Sequence, residues 1–207
     1  MTKTNQQKVK DFLINNGVII VMFILVIYTG FTSDNFFTKN NFMNILMNMS
    51  SRLVIALGIA GCVITAGCDL SAGRMIGFGA CISGMLLQRM DYSGKFFPDM
   101  QPLNVFVVAL IAMLVCAAFG TVTGFFIAYL NVPPFIATLA MMEIVYGIGL
   151  IVTNATPLGG YVEQYTNVSN GKFLGINYLI WIAIIVAAIT WFIFNMTRHG
   201  KYMYAIG

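Results

Sequence analysis

The sequence predicts an all-α fold, a polytopic transmembrane helix bundle with a broken helix pair around residues 67–74. Three observations predict it. Of 207 residues, 59% are hydrophobic and 9% charged, against about a quarter charged in an ordinary soluble domain. With 11 Lys and Arg and seven Asp and Glu, the chain cannot clothe a water-facing surface of this size. Apolar runs recur along it at a mean hydropathy of +0.85, several of them near the roughly 20 helical residues that cross a hydrocarbon core.

Residues 1–11 are polar and carry Lys3, Lys8 and Lys10. Residues 12–31 form the first apolar run. It reads as a retained span, because no small-residue cleavage site follows Tyr28. Residues 32–51 mix Asp34, Lys39 and asparagines with Phe42, Ile45, Leu46 and Met47, a spacing that predicts a short amphipathic helix at the interface.

Residues 53–67 and 75–87 are apolar pieces, each short of a full span, joined by Cys68-Asp69-Leu70-Ser71-Ala72-Gly73-Arg74. Either two short, tilted helices meet at this link, or one broken helix re-enters. Asp69 and Ser71 suit helix N-caps, while Gly67 and Gly73 suit irregular backbone.

Residues 88–102 make a polar connection containing Pro98 and Pro102. Residues 103–130 are long enough for a tilted span, and Gly120 with Gly124 forms a small-xxx-small pair that permits close helix contact. Asn131-Val132-Pro133-Pro134 ends that helix, and its second proline suits the first turn of the next, 134–152. Residues 153–175 read as a loop, and 176–196 as the last span, with Trp181 and Trp191 inside it. Six crossings return Arg198, His199 and Lys201 to the side of the N-terminus, which the positive-inside rule places in the cytoplasm.

Several residues stand out by position. Asp69 lies between apolar half-helices, where a carboxylate is costly unless paired, solvated or protonated. It reads as a cap that holds the turn, or as a polar group facing a transport cavity. Ser71 shares that turn, and Arg74 is near enough in sequence to pair with Asp69 or to reach lipid headgroups. Glu143 falls mid-span and must face the bundle interior, a water-filled path or a partner subunit. It is either a neutral acid bonded across helices or a proton or substrate ligand. Asn131 and Thr138 flank a rigid helix start. Arg198, Gly200 and Lys201 form a basic turn, read as a membrane anchor or as a docking surface.

Other classes are excluded. Cys62, Cys68, Cys81 and Cys116 lack metal-ligand spacing and read as small buried residues. His199 is the only histidine. There is no nucleophile elbow, no HExxH, no CxxC and no phosphate-binding loop, so neither an enzyme nor a bound cofactor is expected. The net charge of +4 is spread out, which gives nucleic acid no basic stripe to follow.

Four stretches carry a family resemblance: Ile64-Thr65-Ala66-Gly67-Cys68-Asp69-Leu70-Ser71-Ala72-Gly73-Arg74; Leu86-Leu87-Gln88-Arg89-Met90-Asp91 with Phe97-Pro98-Asp99-Met100; Ile127 through Leu139 around Pro133-Pro134; and Thr197-Arg198-His199-Gly200-Lys201-Tyr202-Met203-Tyr204-Ala205-Ile206-Gly207. The chain resembles the permease subunits of bacterial ABC sugar importers of the ribose, galactose and arabinose type. Its Asp-Leu-Ser-Ala-Gly-Arg form leans toward the galactoside branch. Gly67-Cys68 stands where the family commonly has Gly-Gly, and Glu143 where an uncharged residue is expected.

The resemblance implies an inner-membrane, multi-pass subunit that forms a monosaccharide pathway by alternating access. Its implied partners are a second permease copy, a cytoplasmic ABC ATPase subunit, a periplasmic sugar-binding protein and membrane lipid. Arg198, Gly200 and Lys201 match the element that meets the ATPase. Residues 1–207 then correspond to the N-terminal part of a transmembrane permease domain, of about six spans, with the family's final spans absent. On physics alone, an ion-coupled secondary transporter using Asp69 and Glu143 fits the broken helix equally well, and a non-transporting scaffold is a third reading.

Overall fold

The computed structural model describes Ile14 and residues 16–207. The polar leader with Lys3, Lys8 and Lys10, and the opening residues of the first expected span, lie outside the described residues. The chain divides into two compact units, Met1–Asn48 and Met49–Gly207.

In the first unit, α1 (Gly17–Thr32) is apolar on every side and buries no residue within the unit. That is the pattern of a helix solvated by lipid. Its threonines are satisfied internally. Thr29 Oγ1 donates to the Leu25 carbonyl at 2.8 Å and Thr32 Oγ1 to the Tyr28 carbonyl at 2.8 Å, as a membrane environment requires.

α2 (Lys39–Ile64) runs on into the second unit as one helix of 26 residues. This corrects the expectation of a short interfacial helix followed by a separate apolar piece. No proline or glycine occurs between Lys39 and Leu57 to stop it, and Asn48 folds its side-chain amide back onto the Asn44 carbonyl at 2.9 Å. Polarity alone does not end a helix whose side chains can bond to its own backbone.

The second unit is built around α3 (Ala72–Leu86), packed between α4 (Val105–Leu130) and α5 (Pro134–Thr153). Phe78 and Ile82 from α3 bury against Ala112 of α4 and against Met141 and Val145 of α5. Phe78 meets Phe119 edge-on at 5.5 Å. The buried core is small because lipid removes the hydrophobic drive between helices and leaves association to close packing. Among the described residues, four helices (α2, α4, α5 and α7, Tyr178–Met196) are long and apolar enough to cross a membrane, and α1 and α3 are shorter apolar helices.

Residues 153–175 are not a plain loop, as the composition suggested. They hold α6 (Glu163–Asn170) and a strand β1 (Lys172–Phe173) that pairs antiparallel with β2 (Ile176–Asn177). Leu174 and Gly175 link the strands with φ of 54° and 78°, the left-handed pair of a tight hairpin. Asn177 then starts α7. Its Oδ1 accepts from the Leu179 N–H at 2.8 Å, and its Nδ2 donates to the Ser169 carbonyl at 2.6 Å.

The connection after α3 is tied to the segment after α5. Gln88 is 1% exposed. Its Nε2 donates to the Gly159 carbonyl at 3.0 Å, and its Oε1 accepts from the Phe96 N–H at 2.7 Å. Backbone bonds from Arg89 N–H to Gly160 and from Val162 N–H to Leu87 complete the clasp. Tyr92 covers Gly160, whose φ of +69° and contact with the ring leave no place for a Cβ. Tyr161, in this clasp, has its phenol pushed above the ordinary tyrosine value, first by burial and then by the neighbouring Tyr165.

α2 ends with Ala66 at φ 57°. Ala66 N–H bonds to Val63 and Gly67 N–H to Cys62 at 2.9 Å. The left-handed residue is therefore Ala66, not Gly67 or Gly73 as composition suggested, and Gly73 sits within α3. An L-residue in this conformation costs about 1 kcal/mol. Ala66→Gly is expected to raise stability by roughly 0.5–1 kcal/mol, read as a higher thermal midpoint in detergent. A lowered midpoint would contradict the strain.

Candidate functional site

The link between α2 and α3, the Asn131–Pro133 turn and a terminal helix α8 (Arg198–Ile206) meet at one end of the second unit. Thr138 in the first turn of α5 places its hydroxyl 3.5 Å from the Cys68 carbonyl. Gly67 is packed so closely that a Cβ there would lie 3.3 Å from the Cys62 carbonyl and 3.9 Å from Pro134 Cβ.

Asp69 organises the link. Its Oδ1 accepts from the Ser71 N–H at 2.9 Å and from Ser71 Oγ at 2.6 Å. Ser71 already has helical backbone angles, and its carbonyl accepts from the Met75 N–H at 2.9 Å. Asp69 thus closes an Asx turn that delivers the chain into α3, and Ser71 makes no side-chain cap of its own. If the carboxylate acts through this turn, Asp69→Asn keeps the acceptor oxygen and retains function within about twofold. Asp69→Ala loses the turn and costs roughly 1 kcal/mol. A transport defect in Asp69→Asn equal to that of Asp69→Ala would show instead that the charge is used.

Arg74 does not pair with Asp69. Its guanidinium lies 4.0 Å from the centroid of the Tyr146 ring on α5, a cation–π contact, and the Asp69 carboxylate is taken up by Ser71. Glu143 lies three residues before Tyr146 on α5 and is exposed. Neither Glu143 nor Arg74 reaches the cavity described next. Asn131 takes the left-handed cap position after α4 at φ 52°, its N–H turning back to the Phe126 carbonyl, and Pro134 occupies the first turn of α5.

A cavity of about 270 Å³ opens at the link. Its wall takes Cys62 from α2, Thr65, Gly67, Cys68, Asp69 and Ser71 from the link, Gly120, Thr123, Gly124 and Ile127 from α4, and Pro134 and Thr138 from α5. Three of the candidates, Asp69, Ser71 and Thr138, are thus brought together. Thr65, Thr123 and Thr138 each donate to a helix carbonyl, at 3.0, 3.0 and 2.8 Å. A larger apolar groove of about 840 Å³ between α2, α3 and α4 shares Asp69, Ser71 and Gly120 with this cavity.

Two expectations are corrected here. Gly120 and Gly124 make no close helix contact, since a Cβ at either would meet nothing within 4 Å. They keep the cavity open. Cys68 is exposed on the link, whereas Cys62, Cys81 and Cys116 are half-buried thiols.

At α8, Thr197 Oγ1 accepts from the Gly200 N–H at 3.4 Å. Gly200 is buried, and a Cβ there would overlap the Phe194 carbonyl. Arg198 and Lys201 are exposed. Sequence reasoning missed Thr65 and Thr123. The one signal for the threonines was a hydroxyl recurring within apolar runs.

A family model described as branched-chain amino acid transport system / permease component matches residues 41–207. The galactose/methyl galactoside import permease protein MglC of Escherichia coli (strain K12) is 38% identical over an alignment covering 100% of this chain and 64% of that protein. MglC of Haemophilus influenzae is 39% identical at the same coverage. The ribose import permease protein RbsC of Escherichia coli (strain K12) is 31% identical over 96% of this chain and 59% of its own length. The chain therefore spans 64% of the length of the galactoside relatives. No solved structure matches it significantly. Outer-membrane spans are closed β-barrels, so apolar helices of spanning length in a chain that a transport permease model matches belong to a multi-pass protein of the inner membrane. On the match over 41–207 and the identity along its whole length, the chain belongs to the permease-component family of membrane transport systems.

Proposed function

We propose that the chain is part of the membrane-spanning subunit of an ATP-driven importer of galactose, methyl galactoside or a related monosaccharide. It forms a translocation pathway by alternating access. The observation that carries this reading is the hydroxyl-bearing cavity at the break between α2 and α3, in a chain 38% identical throughout to a galactoside import permease. A sugar has no charge to neutralise, and the cavity's single carboxylate is already engaged by Ser71. Residues 1–207 act as the N-terminal part of the permease domain, with Asp69, Ser71 and Thr138 on the pathway. Asn131 and Pro134 set the α4–α5 turn beside it. Arg198 and Lys201 lie on the surface that meets a cytoplasmic ATPase, and buried Gly200 seats their helix against α7. A second permease copy and a periplasmic sugar-binding protein complete the assembly, and the exposed Arg74–Tyr146–Glu143 face of α3 and α5 turns toward protein or water, because lipid does not solvate such charges cheaply.

Ion coupling through Asp69 and Glu143 is less well supported, because Glu143 stands apart from the cavity that Asp69 lines. The test is uptake of labelled galactose into proteoliposomes holding the permease, the ATPase and the binding protein. Uptake is expected only with ATP and with all three components. Uptake that persists without the ATPase, driven by a proton gradient, would overturn the proposal.

A further inference from the structure

We infer that the cavity and the apolar groove beside it form one two-part site for a galactoside, with the sugar ring in the cavity and an apolar aglycone in the groove. This rests on the reading of the cavity as a sugar pathway, and it narrows the ligands to amphipathic glycosides. The two hollows meet at Asp69, Ser71 and Gly120, which line both. A Cβ at Gly120 would meet nothing within 4 Å, so α4 puts up no barrier where they join.

Their linings differ in kind. The cavity offers the hydroxyl oxygens of Thr65, Thr123 and Thr138. Beyond the shared turn, the groove offers aliphatic and sulfur surface, with Ile55 and Ile59 from α2, Met75 and Ile76 from α3 and Met113 from α4. Methionine adapts its shape to irregular apolar guests. The groove's 840 Å³ lies within the range, about 300–1,000 Å³, of pockets that enclose small organic ligands.

The junction decides which amphiphile fits. It carries the Asp69 carboxylate, and neither lining contains a Lys or Arg. A phospholipid threading an acyl chain into the groove would bring its phosphate against that carboxylate, and like charges repel. A glycoside brings hydroxyl protons instead, which carboxylate and threonine oxygens accept. The glycosidic oxygen then lies at the junction, with the aglycone beyond it.

The test uses the full chain in phospholipid nanodiscs. Binding of 2-naphthyl β-galactoside is read from its fluorescence, with the signal of empty nanodiscs subtracted, and methyl β-galactoside and galactose are measured as competitors. The naphthyl compound is expected to bind about tenfold or more tighter than methyl galactoside, because its ring is buried, and galactose should displace it. Gly58 lines the groove and not the cavity, and Gly124 the cavity and not the groove. A Cβ at either meets nothing within 4 Å, so leucine at each position fills open space. Gly58→Leu should bring the two galactosides within about twofold of each other, whereas Gly124→Leu should weaken both by about tenfold or more. Naphthyl binding that galactose does not displace would show a groove that takes any apolar chain, lipid included, and would overturn the two-part site. A preference that survives Gly58→Leu would overturn it as well. Should Gly58→Leu not accumulate, methyl, butyl and naphthyl galactosides on the parent decide. Affinity rising along that series, and still displaced by galactose, is expected, and a flat series refutes the site. ATP-driven galactose uptake by the parent with ATPase and binding protein is measured in parallel. Uptake without an aglycone preference rejects only the two-part site, and the preference without uptake rejects only the importer reading.

Discussion

Gly200→Ala is expected to lower ATP-driven uptake by the reconstituted complex by about tenfold or more, and to destabilise the α7–α8 junction by roughly 2 kcal/mol. The added Cβ overlaps the Phe194 carbonyl, which is backbone and cannot rotate away as a side chain would. α8 must lift from α7, and the Thr197 hydroxyl then loses the Gly200 N–H that it caps. Gly120→Ala is the matched control. Its Cβ meets open space, and alanine is favoured over glycine within a helix by about 1 kcal/mol, so its thermal midpoint should not fall. A Gly200→Ala protein with parent stability and uptake would show that α8 is not held against Phe194.

Gln88→Leu is expected to cost about 2–5 kcal/mol, seen as an earlier thermal transition and faster proteolysis at Arg89 and Lys95. Leucine fits the volume but strands a half-buried N–H on Phe96 and a half-buried carbonyl on Gly159, each worth roughly 1–3 kcal/mol when left unpaired. Gln88→Glu separates the two bonds. Its carboxylate still accepts from Phe96 but turns an oxygen toward the Gly159 carbonyl, so its loss should be no smaller than one bond. If Gln88→Leu unfolded at the parent temperature, the clasp would not hold α3 to the segment following α5.

The spans were legible because hydrophobic length is a property of the chain itself. The runs at 103–130, 134–152 and 176–196 lie within a few residues of α4, α5 and α7. The link at 67–74 was legible from Asp69 and its glycines. What escaped depends on direction in space. Continuity of α2 through Ser51 and Arg52 turned on the lack of a breaking residue, not on polarity. The left-handed angle fell on Ala66, while Gly67, the better candidate, instead leaves room beside the Cys62 carbonyl and Pro134 that a Cβ would crowd. Arg74 is close to Asp69 in sequence, but α3 turns it toward Tyr146. Gly120 and Gly124 read as a contact motif and are a vacancy, since spacing cannot say whether a small residue admits a neighbour or a cavity. Gln88 stood within a recognisable motif, yet its partner Gly159 is remote along the chain.

Thr65, Thr123 and Thr138 have each committed their single hydroxyl proton to a helix carbonyl. What they present to the cavity is lone pairs. A guest that binds there must supply the hydrogens, which a polyol does and an anion does not. Exchange of one sugar hydroxyl for fluorine preserves size but removes a proton, and such an analogue should be refused wherever it faces these three side chains.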